Sequence, residues 1–330
     1  MNRRDFVRVS AGLAGAHALA QSAPQQQQTT GSVQRMPFPV IDTHVHLFDT
    51  NRPQGVPWPP KENTALYKPA LPERYKKLAM PHGVVGAIKV EASPLLEDNQ
   101  WVIDLISKEP FFVGFVGNIL PGDPDFARNL ERFHKSPLLL GIRYGNLWGS
   151  NLAETVKRKE VIADLRRLAA AGLSLDTANP NPELVAAIVR VTDEIPNLRV
   201  VIDHLPGLVV PTVPSARRIY ETHLSELHKR PQVFTKLSAI YRKIGNEVPR
   251  DLGLYRANLD QLFETFGEDR IVFGSDWPNS DNLRPYDDVF AIAQEYAMSK
   301  GPVIAEKYFW KNSVKAYKWV PRDASQPRLG

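Results

Sequence analysis

From residue 40 to residue 318 the chain alternates two kinds of apolar patterning. Short, nearly unbroken runs rich in Val, Ile, Leu and Phe fall at 40–46, 84–90, 112–119, 138–143, 173–176, 200–204, 233–238 and 271–275. Runs of that length and β-branched content predict strands buried on both faces. Between them, apolar positions recur at helical spacing over 98–108, 125–135, 154–171, 183–194, 215–229 and 251–266, and two further helical stretches, 287–300 and 303–318, follow the last strand. Asn181 ahead of Pro182 reads as a helix cap with proline at the first helical position, and Gly172 and Gly267 read as helix stops.

Strands that alternate with helices pair in parallel, and eight such units predict a closed (β/α)8 TIM barrel, an α/β fold in a single domain spanning 38–330. An open doubly wound sheet is the competitor, but the glycine-rich phosphate fingerprint that would support it is absent. One connection breaks the rhythm. Residues 48–71 carry five prolines, with Pro72 just beyond, and Trp58 and Tyr67 with no helical pattern, and a loop of that length after the first strand is expected over the barrel mouth.

Composition narrows the function. With 43% hydrophobic residues in 330, the chain can bury a large core. The net charge of +5 is scattered rather than striped, which argues against a nucleic-acid face and fits solubility. The absence of cysteine excludes a disulfide scaffold, a thiolate metal site and a thiol nucleophile. At the N-terminus, Arg3-Arg4-Asp5-Phe6 precedes a mildly apolar run and a small-residue Ala18-Leu19-Ala20 site. Residues 1–23 therefore resemble a twin-arginine signal peptide, which predicts export to the periplasm; the apolar run is too short to span a membrane. The Gln-rich tract that follows makes 24–37 a flexible linker.

In a barrel the catalytic face lies at the C-terminal ends of the strands, and polar residues collect there. His44 and His46 end the first run and, one residue apart on a strand, share a face, where they can hold an ion or stand as a solvated pair. Glu91, Asn118, Arg143, Asp176 and His204 close the next five strands, Lys236 and Ser238 lie on the seventh, and Asp276 follows the eighth. Glu91, Asn118 and Asp176 also suit helix caps or turns, and Arg143 and Lys236 also suit ion pairs. His204 and Asp276 follow runs buried on both faces, where a charge is costly without a partner or an ion.

The segments Asp42-Thr43-His44-Val45-His46, Gly141-Ile142-Arg143, Val201-Ile202-Asp203-His204 and Phe273-Gly274-Ser275-Asp276-Trp277-Pro278 together resemble the amidohydrolase superfamily. Within it they are most similar to the amidohydrolase-2 branch of sugar lactonases and dicarboxylate or sulfomuconolactone hydrolases. The resemblance implies that His44, His46, His204 and Asp276 could ligate one divalent metal such as Zn²⁺. Arg143 and Asp176 stand where many relatives carry further metal ligands, so a two-metal site is not expected, and some lactonases of this branch work without metal. Asp276 is the expected general base for water, with His204 beside it. Arg143 and Lys236 suit a carboxylate or sugar acid, with Glu91 and Asp176 as further substrate contacts. Trp58, Tyr67, Tyr144, Tyr241 and Trp277 are candidate pocket walls. The expected activity is opening of a small lactone. A non-oxidative decarboxylase, or an exported binding protein without catalysis, are the rivals. A small-molecule substrate is the expected partner, and association of barrels through their outer helices leaves a homo-oligomer open.

Overall fold

The computed structural model describes residues 35–330. Eight parallel strands, β1 (Val40–Val45), β2 (Val84–Val90), β3 (Phe112–Gly117), β4 (Leu139–Arg143), β5 (Ser174–Thr177), β6 (Arg199–Ile202), β7 (Val233–Lys236) and β8 (Ile271–Val272), pair in sequence order. The circle is drawn closed where Thr43 N donates to Phe273 O at 3.1 Å and Asp276 N to His44 O at 2.9 Å. The outer layer holds α1 (Pro72–Ala79), α2 (Asp98–Ser107), α3 (Phe126–His134), α4 (Leu152–Thr155), α5 (Lys159–Ala170), α6 (Pro182–Glu194), α7 (Pro214–His228), α8 (Gly253–Phe266), α9 (Tyr286–Ser299), α10 (Pro302–Glu306) and α11 (Asn312–Tyr317). This is a (β/α)8 barrel in one domain. The expected signal peptide and nearly all of the expected linker lie outside the described residues.

Two cores follow from strand alternation. Ile41, Ile88, Val90, Val116, Val201 and Phe234 fill the barrel interior, and Trp310, Tyr317 and Trp319 join that cluster. Alternate strand residues pack outward against the helices. Asn181 caps α6, its side chain accepting from Leu184 N, and Gly172 and Gly267 take positive φ past α5 and α8.

The differences from expectation have local causes. α1 was not anticipated; its short turn begins with Pro72 and buries Tyr75 and Ala79. The predicted 154–171 helix is two helices, because Arg158 is extended and the buried Val156 lies between them. The predicted 303–318 helix opens into one π turn, Lys307–Lys311. There the Tyr308 carbonyl accepts from Phe273 N at 3.0 Å, giving the very short β8 a partner beyond its own sheet. Several strands also stop short of their predicted ends: β6 and β8 finish at Ile202 and Val272, and beyond them the ladder continues through single bonds, Asp203 N to Thr177 O and Thr43 N to Phe273 O, before His204 and Asp276 take the left-handed conformation.

Candidate active site

β1 sets the geometry. Asp42 is fully buried and accepts from His44 N (3.1 Å), Ser275 N (2.9 Å) and Tyr75 OH (2.7 Å), stapling β1 to the segment after β8. Gly274 is obligatory beside it, since a Cβ there would lie 2.7 Å from that of His44. These contacts hold His44 and His46 on the interior side, where their Nε2 atoms stand 3.2 Å apart.

Asp276 meets them from the other end of the circle. Its Oδ1 lies 3.2 Å from His46 Nε2, 3.6 Å from His44 Nε2 and 3.5 Å from His204 Nε2, and its Oδ2 accepts from Asn279 Nδ2 at 2.8 Å. Burial alone would raise the Asp276 carboxyl, but His204, the His46 hydrogen bond and His44 outweigh it and hold it far below the usual carboxylate range. His44 and His204 are pushed down, mainly by burial, so both favour the neutral imidazole. His204 and Asp276 reach these positions only in the left-handed region, at φ 57° and 60°, as do Trp148, Asn179 and Ala239 on neighbouring loops. Side chains with a Cβ resist that conformation, and its concentration here marks where backbone comfort yields to side-chain placement.

The hydrogen-bond partners assign the imidazoles. His46 Nδ1 donates to Val90 O at 3.1 Å, which leaves Nε2 to face Asp276 or an ion. Lys236 Nζ donates to His44 Nδ1 at 3.2 Å, which puts the His44 hydrogen on Nε2 facing His46. His44, His46 and Asp276 offer two imidazole nitrogens and one carboxylate oxygen within 4.8 Å of one another, all buried, and could hold one metal ion. For His44 to serve through Nε2, its hydrogen must move to Nδ1, where Asp203 Oδ1 waits at 3.6 Å. His204 groups instead with His44 and Asp203, and Asp203 is already committed to cations, so the arrangement suits one ion rather than two.

Beneath the histidines runs a buried ionic chain. Lys236 bridges Asp176 Oδ2 (3.0 Å) and Asp203 Oδ1 (2.9 Å), Asp203 Oδ2 takes Arg143 Nε at 3.0 Å, and Arg143 Nη1 reaches Glu91 Oε1 at 3.4 Å. Asp176 is further held by Tyr317 OH (2.6 Å) and Ser174 Oγ (3.0 Å). Burial opposes charge on Asp203 and Arg143, yet Lys236 and His44 hold Asp203 well below its ordinary range, and Asp203 and Glu91 keep the Arg143 guanidinium charged.

A pocket of about 290 Å³ opens above, walled by Trp58, Trp148, Glu91, Arg143, Asn179 and Asn279, with His46, His204 and Asp276 in its floor. The 48–71 connection does reach the mouth: Phe48 and Ala70 pair at its base, and Trp58 stands edge-on to His46 at 5.4 Å. Other expected contacts are placed elsewhere. Lys236 and Asp176 have no exposed surface and neutralise each other, so neither offers a charge to the pocket. Trp277 is wholly buried against Tyr75 and Arg74, Tyr144 is buried outside the pocket, Tyr67 belongs to the loop, and Tyr241 walls a separate cavity. Ser238 acts through His204, at 2.8 Å from Nδ1, and the Asn118 carbonyl accepts from Asn99. Sequence reasoning passed over Asp203, Trp148, Asn179 and Asn279. Only Asp203 carried a signal, as a carboxylate at the end of a fully apolar run.

Barrel and site together fit a hydrolytic enzyme whose buried cluster could hold one metal ion. Residues 41–319 match the amidohydrolase family model, so this chain belongs to the amidohydrolase family. Among characterised relatives, it is 27% identical over 243 residues to an L-fucono-1,5-lactonase of Burkholderia ambifaria, covering 73% of this chain and 80% of that protein. A zinc-bound amidohydrolase of Burkholderia multivorans superposes with a TM-score of 0.74 at 20% identity, covering 86% of this chain and all (100%) of that one. A probable 2-pyrone-4,6-dicarboxylic acid hydrolase of Acinetobacter baumannii, with citric acid bound, gives 0.66 at 21% identity, covering 86% and 100%.

Proposed function

We propose that this enzyme opens a small, uncharged, hydroxyl-rich lactone, in the manner of a sugar lactonase. The observation that carries the reading is the convergence of three histidine nitrogens on one ionised carboxylate oxygen at the floor of a pocket walled by two tryptophans and two amides. Tryptophan faces and amides suit a polyol ring. Pocket charge points the same way: Arg143 is saturated by Asp203 and Glu91, Lys236 is sealed away, and Glu91 and Asp276 remain as carboxylates. Before any ion binds, an anionic lactone would meet net repulsion from these carboxylates; a bound Zn²⁺ would offset it, so the choice of a neutral ring rests mainly on the pocket walls. The relative named L-fucono-1,5-lactonase supports this choice over a dicarboxylate substrate.

The Asp276 carboxylate takes the proton of the attacking water as its oxygen bonds to the lactone carbonyl carbon, then returns it to the ring oxygen as the carbonyl carbon–ring oxygen bond breaks. His204, oriented by Ser238, donates to the developing charge. We propose Zn²⁺ as the ion for His44, His46 and Asp276, where it would polarise the carbonyl and acidify water; the zinc-bound relative supports it. The Arg3-Arg4 address would place the activity in the periplasm.

The test is a panel of neutral and carboxylated lactones, scored for ring-opened acid and for released CO₂. Neutral lactones should be opened without CO₂, and Asp276→Asn should lose at least about a hundredfold in kcat/KM while staying folded by circular dichroism. Release of CO₂ from a carboxylic acid, or undiminished turnover by Asp276→Asn, overturns the reading. Elemental analysis after chelation decides the zinc assignment separately.

A further inference from the structure

A second cavity, of about 100 Å³, lies between the ends of β7 and β8 and helix α9. Its walls are mostly apolar, with Ile240, Leu283, Val289, Ile292 and Ala293 prominent among them. Two features connect it to catalysis. Asp276 and Asn279 line both this cavity and the polar pocket, so the two volumes adjoin at one carboxylate–amide pair. Ser238, which fixes His204, also lines it.

One wall group is unsatisfied. Ser280 Oγ is buried and has no hydrogen-bond partner among the described residues. A buried hydroxyl without a partner is costly, and a water or a ligand atom in the cavity would supply one. The cavity therefore pairs an apolar volume with one hydroxyl, directly behind the reacting centre. A void of about 150 Å³ lined by aliphatic residues takes a benzene ring. This one takes an arm of about four carbons.

We propose that the cavity is a subsite for a short, mainly aliphatic arm on the lactone ring, with Ser280 meeting one polar atom of that arm. The inference rests on the lactonase reading and adds a substrate feature to it: a ring polar on the side facing Trp58 and Trp148, and carrying an alkyl or hydroxyalkyl substituent on the side facing α9. Ala293 and Ile292 then set the length accepted.

The experiment is a kcat/KM series on lactones of one ring size whose substituent grows from hydrogen to hexyl. In the wild type, kcat/KM should climb about fourfold per methylene while the arm is being buried, then stop near four carbons. Ala293→Leu should shift the optimum to shorter arms and Ile292→Ala to longer ones, with the unsubstituted lactone opened at wild-type rate by both. Ser280→Ala should cut the preference for ω-hydroxyalkyl over alkyl arms severalfold. Opposite shifts from two substitutions on one helix are not produced by loss of structure, and melting temperatures identify a variant that has unfolded. A flat or falling series in the wild type, with the unsubstituted lactone still opened, overturns the subsite and leaves the function standing. If no lactone is opened, the function falls, and calorimetric titration of the butyl-substituted lactone into wild type and Ala293→Leu decides the cavity: binding confined to the wild type supports it, equal or no binding overturns it.

Discussion

Glu91 ties two walls of the pocket together. One oxygen faces Arg143 at 3.4 Å and the other accepts from Trp148 Nε1 at 3.1 Å, so it neutralises the one cation in the pocket wall while anchoring an aromatic wall. Replacing it by glutamine keeps the Trp148 contact and frees half the charge of Arg143. Glu91→Gln should therefore raise kcat/KM for carboxylated lactones relative to neutral ones by about tenfold, the effect of one unscreened charge in a partly solvated pocket. A ratio unchanged in steady-state assays would show that pocket charge does not select substrate. His44, His46, Arg143, His204 and Asp276 were readable from sequence as polar endings on apolar runs, and the structure gathers them within one cluster and its rim. Lys236 and Asp176 were readable as polar but not as mutually neutralised, because sequence order says nothing of which strands face each other across a barrel.

At the scale of one strand, β2 carries an anomaly that its apolar pattern concealed. Lys89 points away from the barrel interior, is 4% exposed, and makes no hydrogen bond or ion pair among the described residues. Burial pushes its ammonium down to about 8; Glu91 and Asp98 oppose that and Arg143 adds to it. A lysine with a folded pKa below its unfolded value of 10.5 binds fewer protons when folded, so its contribution to stability is complete above pH 10.5 and is lost as pH falls through 8. Lys89→Met should consequently stabilise the protein near pH 7 by up to about 3 kcal/mol, with the gain shrinking toward pH 10.5, as read by urea unfolding at the two pH values. Periodicity was sufficient to find every strand of the barrel, because doubly buried strands leave nearly continuous apolar runs. It could not find the break at Arg158 or the π turn at Tyr308, since both arise from contacts with distant segments.

At the scale of the whole molecule, the barrel is shut from below by its last residues. Trp319 packs with Trp310 and Tyr317 in the interior cluster, Arg322 donates to the carbonyls of Ile106, Ser107 and Phe112, and Gln326 to those of Pro110 and Phe111. Tyr317 also supplies the hydroxyl on Asp176, so the closing segment reaches the ionic chain under the histidines. A chain ending at Lys318 should lose several kcal/mol through Trp319 alone, and its thermal midpoint should drop by about 10 °C or more. An unchanged midpoint in calorimetry would mean that the tail decorates the barrel and does not seal it.

That closure also sets an order of events during synthesis. β1 can pair with β2 early, but its other neighbour is the segment after β8, and the floor beneath both is made from residues beyond 310. The triad of His44, His46 and Asp276, which could hold an ion, therefore comes together only once the segment after β8 and the residues beyond 310 are in place, so any ion would be captured by a closed barrel and not by its first half alone.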